Sequence, residues 1–137
     1  MRMVCKKNWA LRKRMADRLF AKRAAEMRGH RAESLAALLL RLKGHRILDR
    51  RVKTHAGEID LVSLSPFGPV CFIEVKARAQ ARDAVESVWP NQRTRIARAA
   101  TLYLASRPAL AKRGMRFDIV TVAGLPRHYR DAWRPGE

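Results

Sequence analysis

Apolar residues recur at helical spacing in the first third of the chain. Trp9, Ala16, Leu19, Phe20 and Ala24 keep a loose three-to-four interval, which predicts an amphipathic helix over about residues 8–28, with Gly29 as punctuation. Leu35, Leu38, Leu39 and Leu42 then make a cleaner stripe, and Gly44 stands where a helix C-cap belongs, so a second helix is predicted over 31–43. The pattern next shortens. Residues 47–52 read as a short strand, Thr54-His55-Ala56-Gly57 as a turn, and 59–64 as a strand. Ser65-Pro66-Phe67-Gly68-Pro69 reads as a hairpin-type turn, with a return strand rich in β-formers over 70–76. Ile96, Ala99, Ala100, Tyr103 and Leu104 form another helical stripe with Asn91, Arg95 and Arg98 opposite, and residues 116–122, RFDIVTV, form a last strand. The tail from Gly124, with Pro126, Pro135 and Gly136, is expected to be irregular. Without internal repeats or a dividing linker, the order helix, three strands, helix, strand describes a small α/β domain whose sheet begins antiparallel.

Composition narrows the partners. The 137 residues fit one domain, and an apolar fraction of 47% is enough for a core. Thirty Lys and Arg against 12 Asp and Glu leave a net charge of +18, and the surplus is uneven: residues 1–53 hold 17 basic and 4 acidic side chains, the remainder 13 and 8. Such a balance calls for a polyanion, of which nucleic acid is the commonest. Two cysteines, Cys5 and Cys71, exclude a disulfide framework as the organising principle. No apolar run approaches the roughly 20 residues of a membrane span. The N-terminus is basic and poor in acids, as transit peptides are, but it lacks a signal sequence's apolar stretch and runs into a helical pattern. A cytoplasmic protein is therefore expected. There is no GxxxxGK[ST] or GxGxxG, and His30, His45, His55 and His128 lack metal-ligand spacing, which argues against a nucleotide-driven motor and a zinc site.

The few acids carry the candidate chemistry. With a period of two, Glu58 and Asp60 share one face of their strand while Ile59 and Leu61 share the other. On the next strand Phe72, Glu74, Lys76 and Arg78 share a face opposite Cys71, Ile73 and Val75. An acid pair can thus meet a Glu-x-Lys-x-Arg row across one hairpin. Bare carboxylates 4 Å apart repel by about 4 kcal/mol at an effective dielectric near 20, unless a proton or cation intervenes. Mg²⁺ takes oxygen ligands of this kind, usually one or two carboxylates with water and a substrate phosphate. A nearby lysine can orient a water or steady charge developing on phosphate. Glu58 is read as a turn acid and Asp118 as the partner of a basic neighbour. Arg78 either pairs with a site acid or contacts phosphate. Glu74 and Lys76 can also be read as a plain salt bridge on a solvated sheet.

Gly57-Glu58-Ile59-Asp60-Leu61 followed by Phe72-Ile73-Glu74-Val75-Lys76-Ala77-Arg78 resembles the YraN family of bacterial proteins, which is similar to Holliday-junction resolvases and the PD-(D/E)xK nucleases. The likeness extends over 29–122, through Glu33, Gly44-His45-Arg46-Ile47-Leu48, Val88-Trp89-Pro90-Asn91-Gln92-Arg93 and Arg116-Phe117-Asp118. It implies a restriction-endonuclease-like mixed sheet flanked by helices over 29–124, a basic helical extension over 1–28 longer than the family usually has, and a tail over 125–137. It makes Asp60 and Glu74 ligands of Mg²⁺ (or Mn²⁺) and Lys76 the catalytic lysine. Glu33 becomes a further acid reaching the metal directly or through water, and Gln92 a polar residue near the site, at a position where family members vary.

The expected function is therefore metal-dependent endonucleolytic cleavage of DNA, branched or structured DNA included. Phosphates would be gripped by the basic N-terminal helix, with little base readout. The alternative is a non-catalytic nucleic-acid-binding protein, for DNA or RNA, on the same fold. A third reading is a subunit that needs a partner; a homodimer would suit two-strand cutting, but no residue defines its face. No membrane role is expected.

Overall fold

The computed structural model describes residues 2–77 and 90–136, with side chains described from residue 8. The Cys5 side chain and the positions Arg78, Val88 and Trp89 lie outside that description. The chain forms α1 (Arg2–Leu42), β1 (Arg46–Lys53), β2 (Glu58–Leu64), β3 (Val70–Lys76), α2 (Pro90–Ala105), a short α3 (Pro108–Ala111), β4 (Met115–Thr121) and β5 (Arg127–Trp133). It divides into two compact units, Met1–Arg31 and Ala32–Glu137.

In the first unit, helix runs through Gly29 instead of stopping there. One glycine costs a helix interior roughly 1 kcal/mol, and the surrounding Ala, Arg, Lys, Glu and Met residues are all good helix formers. The large apolar side chains of the expected amphipathic face stay exposed. Trp9 and Phe20 are 65% and 70% exposed, and Arg12, Lys13, Arg14, Arg18, Lys22 and Arg23 are exposed as well.

The second unit is a five-stranded mixed sheet in the order β1-β2-β3-β4-β5. The β1–β2, β2–β3 and β4–β5 pairs are antiparallel and β3–β4 is parallel. Helices cover both faces. On one, Ala36, Ala37 and Leu40 of α1 pack with Leu61, Cys71, Ile73 and Val120. On the other, Ile96, Ala99, Ala100, Tyr103 and Leu104 of α2 pack with Val62, Val70, Phe72, Phe117, Ile119 and Trp133. The α2 stripe is the one the sequence predicts. Of the leucine stripe only Leu39 packs against this core; Leu35, Leu38 and Leu42 are exposed, while the small Ala36 and Ala37 let the helix approach the sheet closely. Gly44, at φ 88°, closes α1 as expected: His45 N–H donates to Leu40 O at 2.9 Å and Gly44 N–H to Arg41 O at 3.0 Å, a Schellman pair. No described helix is long and apolar enough to cross a membrane.

The tail expected to be irregular contributes β5. Trp133 stacks on Phe117 with ring centroids 4.2 Å apart, and the strand otherwise presents Arg127, Arg130 and Asp131 to solvent, which hides its periodicity. Its register against β4 slips between Phe117 and Ile119, where Asp131 takes φ 49° and donates its N–H to Asp118.

Gly57 shows what the motif glycine does. A Cβ placed there would lie 3.2 Å from Arg95 Cβ and 3.3 Å from Arg95 O, so the β1–β2 turn sits against the α2 backbone. Gly57→Ala should destabilise the fold by about 1–3 kcal/mol through overpacking, read by urea denaturation; an unchanged midpoint would deny the close approach.

Candidate functional site

The site begins where β2 and β3 part. Their register runs from Leu64↔Val70 to Leu61↔Ile73 and goes no further. Beyond it the Val75 N–H, deprived of a ladder partner, donates to Asp60 Oδ2 at 2.8 Å. Alternation breaks at the same point. Ile59 joins the α2-side cluster and Leu61 the α1-side cluster, so they do not share a face as strict period-two reasoning expects. β3 stays regular alongside β4 to Lys76 and holds Phe72, Glu74 and Lys76 on one side.

Asp60, Glu74 and Lys76 come together as predicted. The Asp60 carboxyl is pushed up to about 7, by burial first and the Glu74 charge second, and it hydrogen-bonds Glu74. Glu74 is also raised, chiefly by burial, against which Lys76, Asp60 and Gln92 hold its charge. The pair therefore keeps a proton close to neutral pH, with Asp60 as donor and Glu74 as acceptor. Lys76 Nζ lies 3.5 Å from Glu74 Oε1, the two side chains being 24% and 12% exposed. Gln92, in the first turn of α2, donates Nε2–H to the same oxygen at 2.9 Å.

Glu33 is placed differently. It accepts from Arg51 Nε at 2.7 Å, and only its charge reaches Asp60. Among the described residues no three His, Cys, Asp or Glu side chains form a group able to hold a metal ion. The hard-cation donors brought together among those residues are Asp60 and Glu74. Two half-buried carboxylates sharing one proton still suit an oxygen-seeking divalent cation, which can replace that proton and keep water in its remaining positions. Glu58 is exposed opposite Lys53 at the turn, and Asp118 pairs with Arg116, both as read from sequence.

Arg51 was not anticipated. It sits within β1 at φ 50°, a left-handed conformation that costs a non-glycine residue of order 1–3 kcal/mol. A side chain defined by a distant partner and an unusual backbone leaves no mark in local periodicity. A larger pocket of about 770 Å³ along α2, lined by His55, Thr94, Ala97, Arg98 and Leu102 among others, has no carboxylate among the described residues of its wall. It offers a hard cation nothing, so the carboxylate pair is the better candidate.

Comparison with known proteins agrees with the sequence motifs. The model of the uncharacterised protein family UPF0102 matches residues 32–122. A UPF0102 protein of Paramagnetospirillum magneticum is 53% identical over 120 residues, covering 83% of this chain and 92% of the relative. One from Maricaulis maris is 49% identical over 119 residues, covering 85% and 93%. A third, from Agrobacterium fabrum, is 46% identical over 114 residues, covering 82% and 93%.

Proposed function

Because this chain belongs to the UPF0102 family, which is the YraN family its motifs resemble, we propose that its Asp60–Glu74–Lys76 centre hydrolyses phosphodiester bonds in DNA with the help of a divalent cation. The observation that carries this reading is the parting of β2 and β3. It leaves two half-buried carboxylates sharing one proton beside a lysine ammonium, in a chain of net charge +18. Stability alone gives no reason for that cluster, since burying like charges together costs free energy. A five-stranded mixed sheet with helices on both faces is compatible with the restriction-endonuclease-like architecture that the motifs imply.

Asp60 and Glu74 would hold Mg²⁺ or Mn²⁺, with Glu33 acting through water because Arg51 already occupies it. When bound, such an ion supplies charge neutralisation and polarises a phosphoryl oxygen. Gln92 fixes the Glu74 carboxylate and leaves its second oxygen unclaimed by that bond. The Lys76 ammonium orients the attacking water and faces the negative charge that grows on phosphate as the bond to the leaving sugar oxygen breaks. The exposed basic residues of 12–31 supply backbone contacts without sequence readout.

Asp60→Asn tests the centre in two ways. Asparagine copies the protonated acid, accepting from Val75 and donating to Glu74. A carboxylate raised to about 7 in the folded state, against about 4 unfolded, makes the native state bind more protons between those values. Stability therefore falls as pH rises through that window. The variant should gain about 1–3 kcal/mol at pH 8, a discounted share of the linkage. It should also lose Mg²⁺-dependent cleavage of labelled linear, flap and four-way-junction DNA, with EDTA as the control. A stable variant that still cuts would remove Asp60 from the chemistry. The exposed basic stretch favours a second reading, a binding protein without catalysis. In that case the wild type binds salt-sensitively, never cuts with Mg²⁺ or Mn²⁺, and Asp60→Asn binds DNA equally well or better.

A further inference from the structure

A second polar centre occupies the other end of the strands. Asp118 is completely buried on β4 and takes two parallel hydrogen bonds from Arg116, Nε to Oδ1 at 2.8 Å and Nη2 to Oδ2 at 2.7 Å. His128 of β5 reaches Oδ2 through Nε2 at 2.7 Å, and its Nδ1 lies 2.7 Å from Lys43 Nζ. An ammonium can only donate, so Nδ1 accepts from Lys43 and the Nε2–H donates to Asp118. One buried acid thus fixes an arginine directly and a lysine through one histidine tautomer. His45 completes the group, bonded to Ser63 Oγ at 2.9 Å.

These cations open onto a pocket of about 410 Å³ whose wall includes Lys43, His45, Arg116 and Arg130 together with the 65–69 turn. Among the described residues no acid lines it. Asp118 stands behind the cations and orients Arg116 and, through His128, Lys43, and it neutralises only one of three full positive charges. Arg116 commits two of its five N–H donors to Asp118 and keeps three. The local field is visible in His45, whose imidazole is held down to about 4 by burial first, with Arg116 and Lys43 adding to it against the pull of Asp118. A pre-oriented arginine fork with two further cations and no competing carboxylate in the described wall is the arrangement that recognises a tetrahedral oxyanion.

We propose that this pocket binds a phosphate group at a site separate from the carboxylate centre. Ser65 lies five residues beyond Asp60, about 17 Å of extended chain, so one phosphate cannot serve both. The phosphate comes either from a nucleic-acid backbone or from a small phosphorylated ligand.

The full-length chain is titrated with inorganic phosphate against chloride at matched ionic strength, following backbone amides by NMR. The Lys43→Gln/Arg130→Gln double variant serves as the comparison. The side-chain amide introduced by Lys43→Gln can still donate to His128, and Arg116 is untouched, so the buried acid keeps its partners. Saturable shifts at residues 43–45, 65, 67, 68 and 116, weakened at least about five-fold in the variant, are expected. No saturable shift there, or equal shifts in both proteins, overturns the proposal. The salt dependence of DNA binding then identifies the source. Two lost phosphate contacts lower the slope of log K against log salt by up to about 1.8, which assigns the pocket to nucleic acid. An unchanged slope, with inorganic phosphate binding weakened in the variant, assigns it to a small phosphorylated ligand. The Asp60→Asn variant loses cutting and keeps this pocket, so the phosphate site and the nuclease reading stand or fall separately.

Discussion

Replacing Lys76 by alanine should lower metal-dependent DNA cleavage about 10²–10⁴-fold, the range of a positioned proton-handling or charge-stabilising group, while DNA affinity changes by less than about two-fold. The asymmetry follows from placement. Lys76 contributes one charge among 30 basic side chains, so its share of the non-specific grip is small. Its Nζ is the ammonium 3.5 Å from Glu74 Oε1, and it is the largest influence holding the Glu74 carboxylate charged. Loss of the lysine also raises Glu74 further and weakens its hold on a cation, so rates are compared at saturating Mg²⁺. Lys76→Arg should rescue little, because a planar fork cannot place its charge where a single ammonium stood. Cleavage and affinity lost to the same extent would make Lys76 a phosphate anchor and deny it a part in the chemical step.

The sequence carries this centre because its three central residues come from two strands of strong β character joined by one turn. Period-two alternation alone brings Glu74 and Lys76 to one side, and the hairpin brings Asp60 beside them. Glu33 lies beyond such reasoning. Its partner Arg51 is 18 residues away and takes a left-handed backbone that no local pattern announces. The leucine stripe of α1 misleads for a packing reason: the sheet accepts Ala36 and Ala37, not the bulkier Leu35 and Leu38, because small side chains permit close approach. Strand β5 is hidden by polarity. Its residues read as a solvated tail until Asp118, buried on the neighbouring strand, supplies the acceptor that His128 and the Asp131 N–H require. Non-local partners that make a polar segment regular are what a one-dimensional pattern omits.

Asp118→Ala should destabilise the second unit by about 3–5 kcal/mol, the usual cost of breaking a buried ion pair from one side. Four N–H donors converge on that carboxylate, two from Arg116 and one each from His128 and Asp131, and all four would be left facing an apolar methyl. Those same bonds hold the Asp118 carboxyl well below the usual carboxylate range in spite of its burial. A depressed carboxylate stabilises fully above its unfolded value near 4 and loses that contribution as pH falls towards the folded value. His45 acts in the same direction at milder pH. Held down to about 4 against 6.5 unfolded, it makes the unfolded chain bind more protons in that window, so stability falls as pH drops through it. Asp60 opposes this between about 4 and 7. Glu74, also raised by burial, opposes it too, so Asp60→Asn should steepen the decline towards acid relative to the wild type. If Asp118→Ala fails to fold, Arg116→Met/Asp118→Leu offers a rescue, since apolar residues of similar volume can replace a buried pair at little cost. Recovery of most of the lost stability in the double variant, measured by urea denaturation, would locate the penalty in the stranded Arg116 donors. An Asp118→Ala protein that unfolds at the wild-type urea concentration would mean that β5 is held by Trp133 and Phe117 alone.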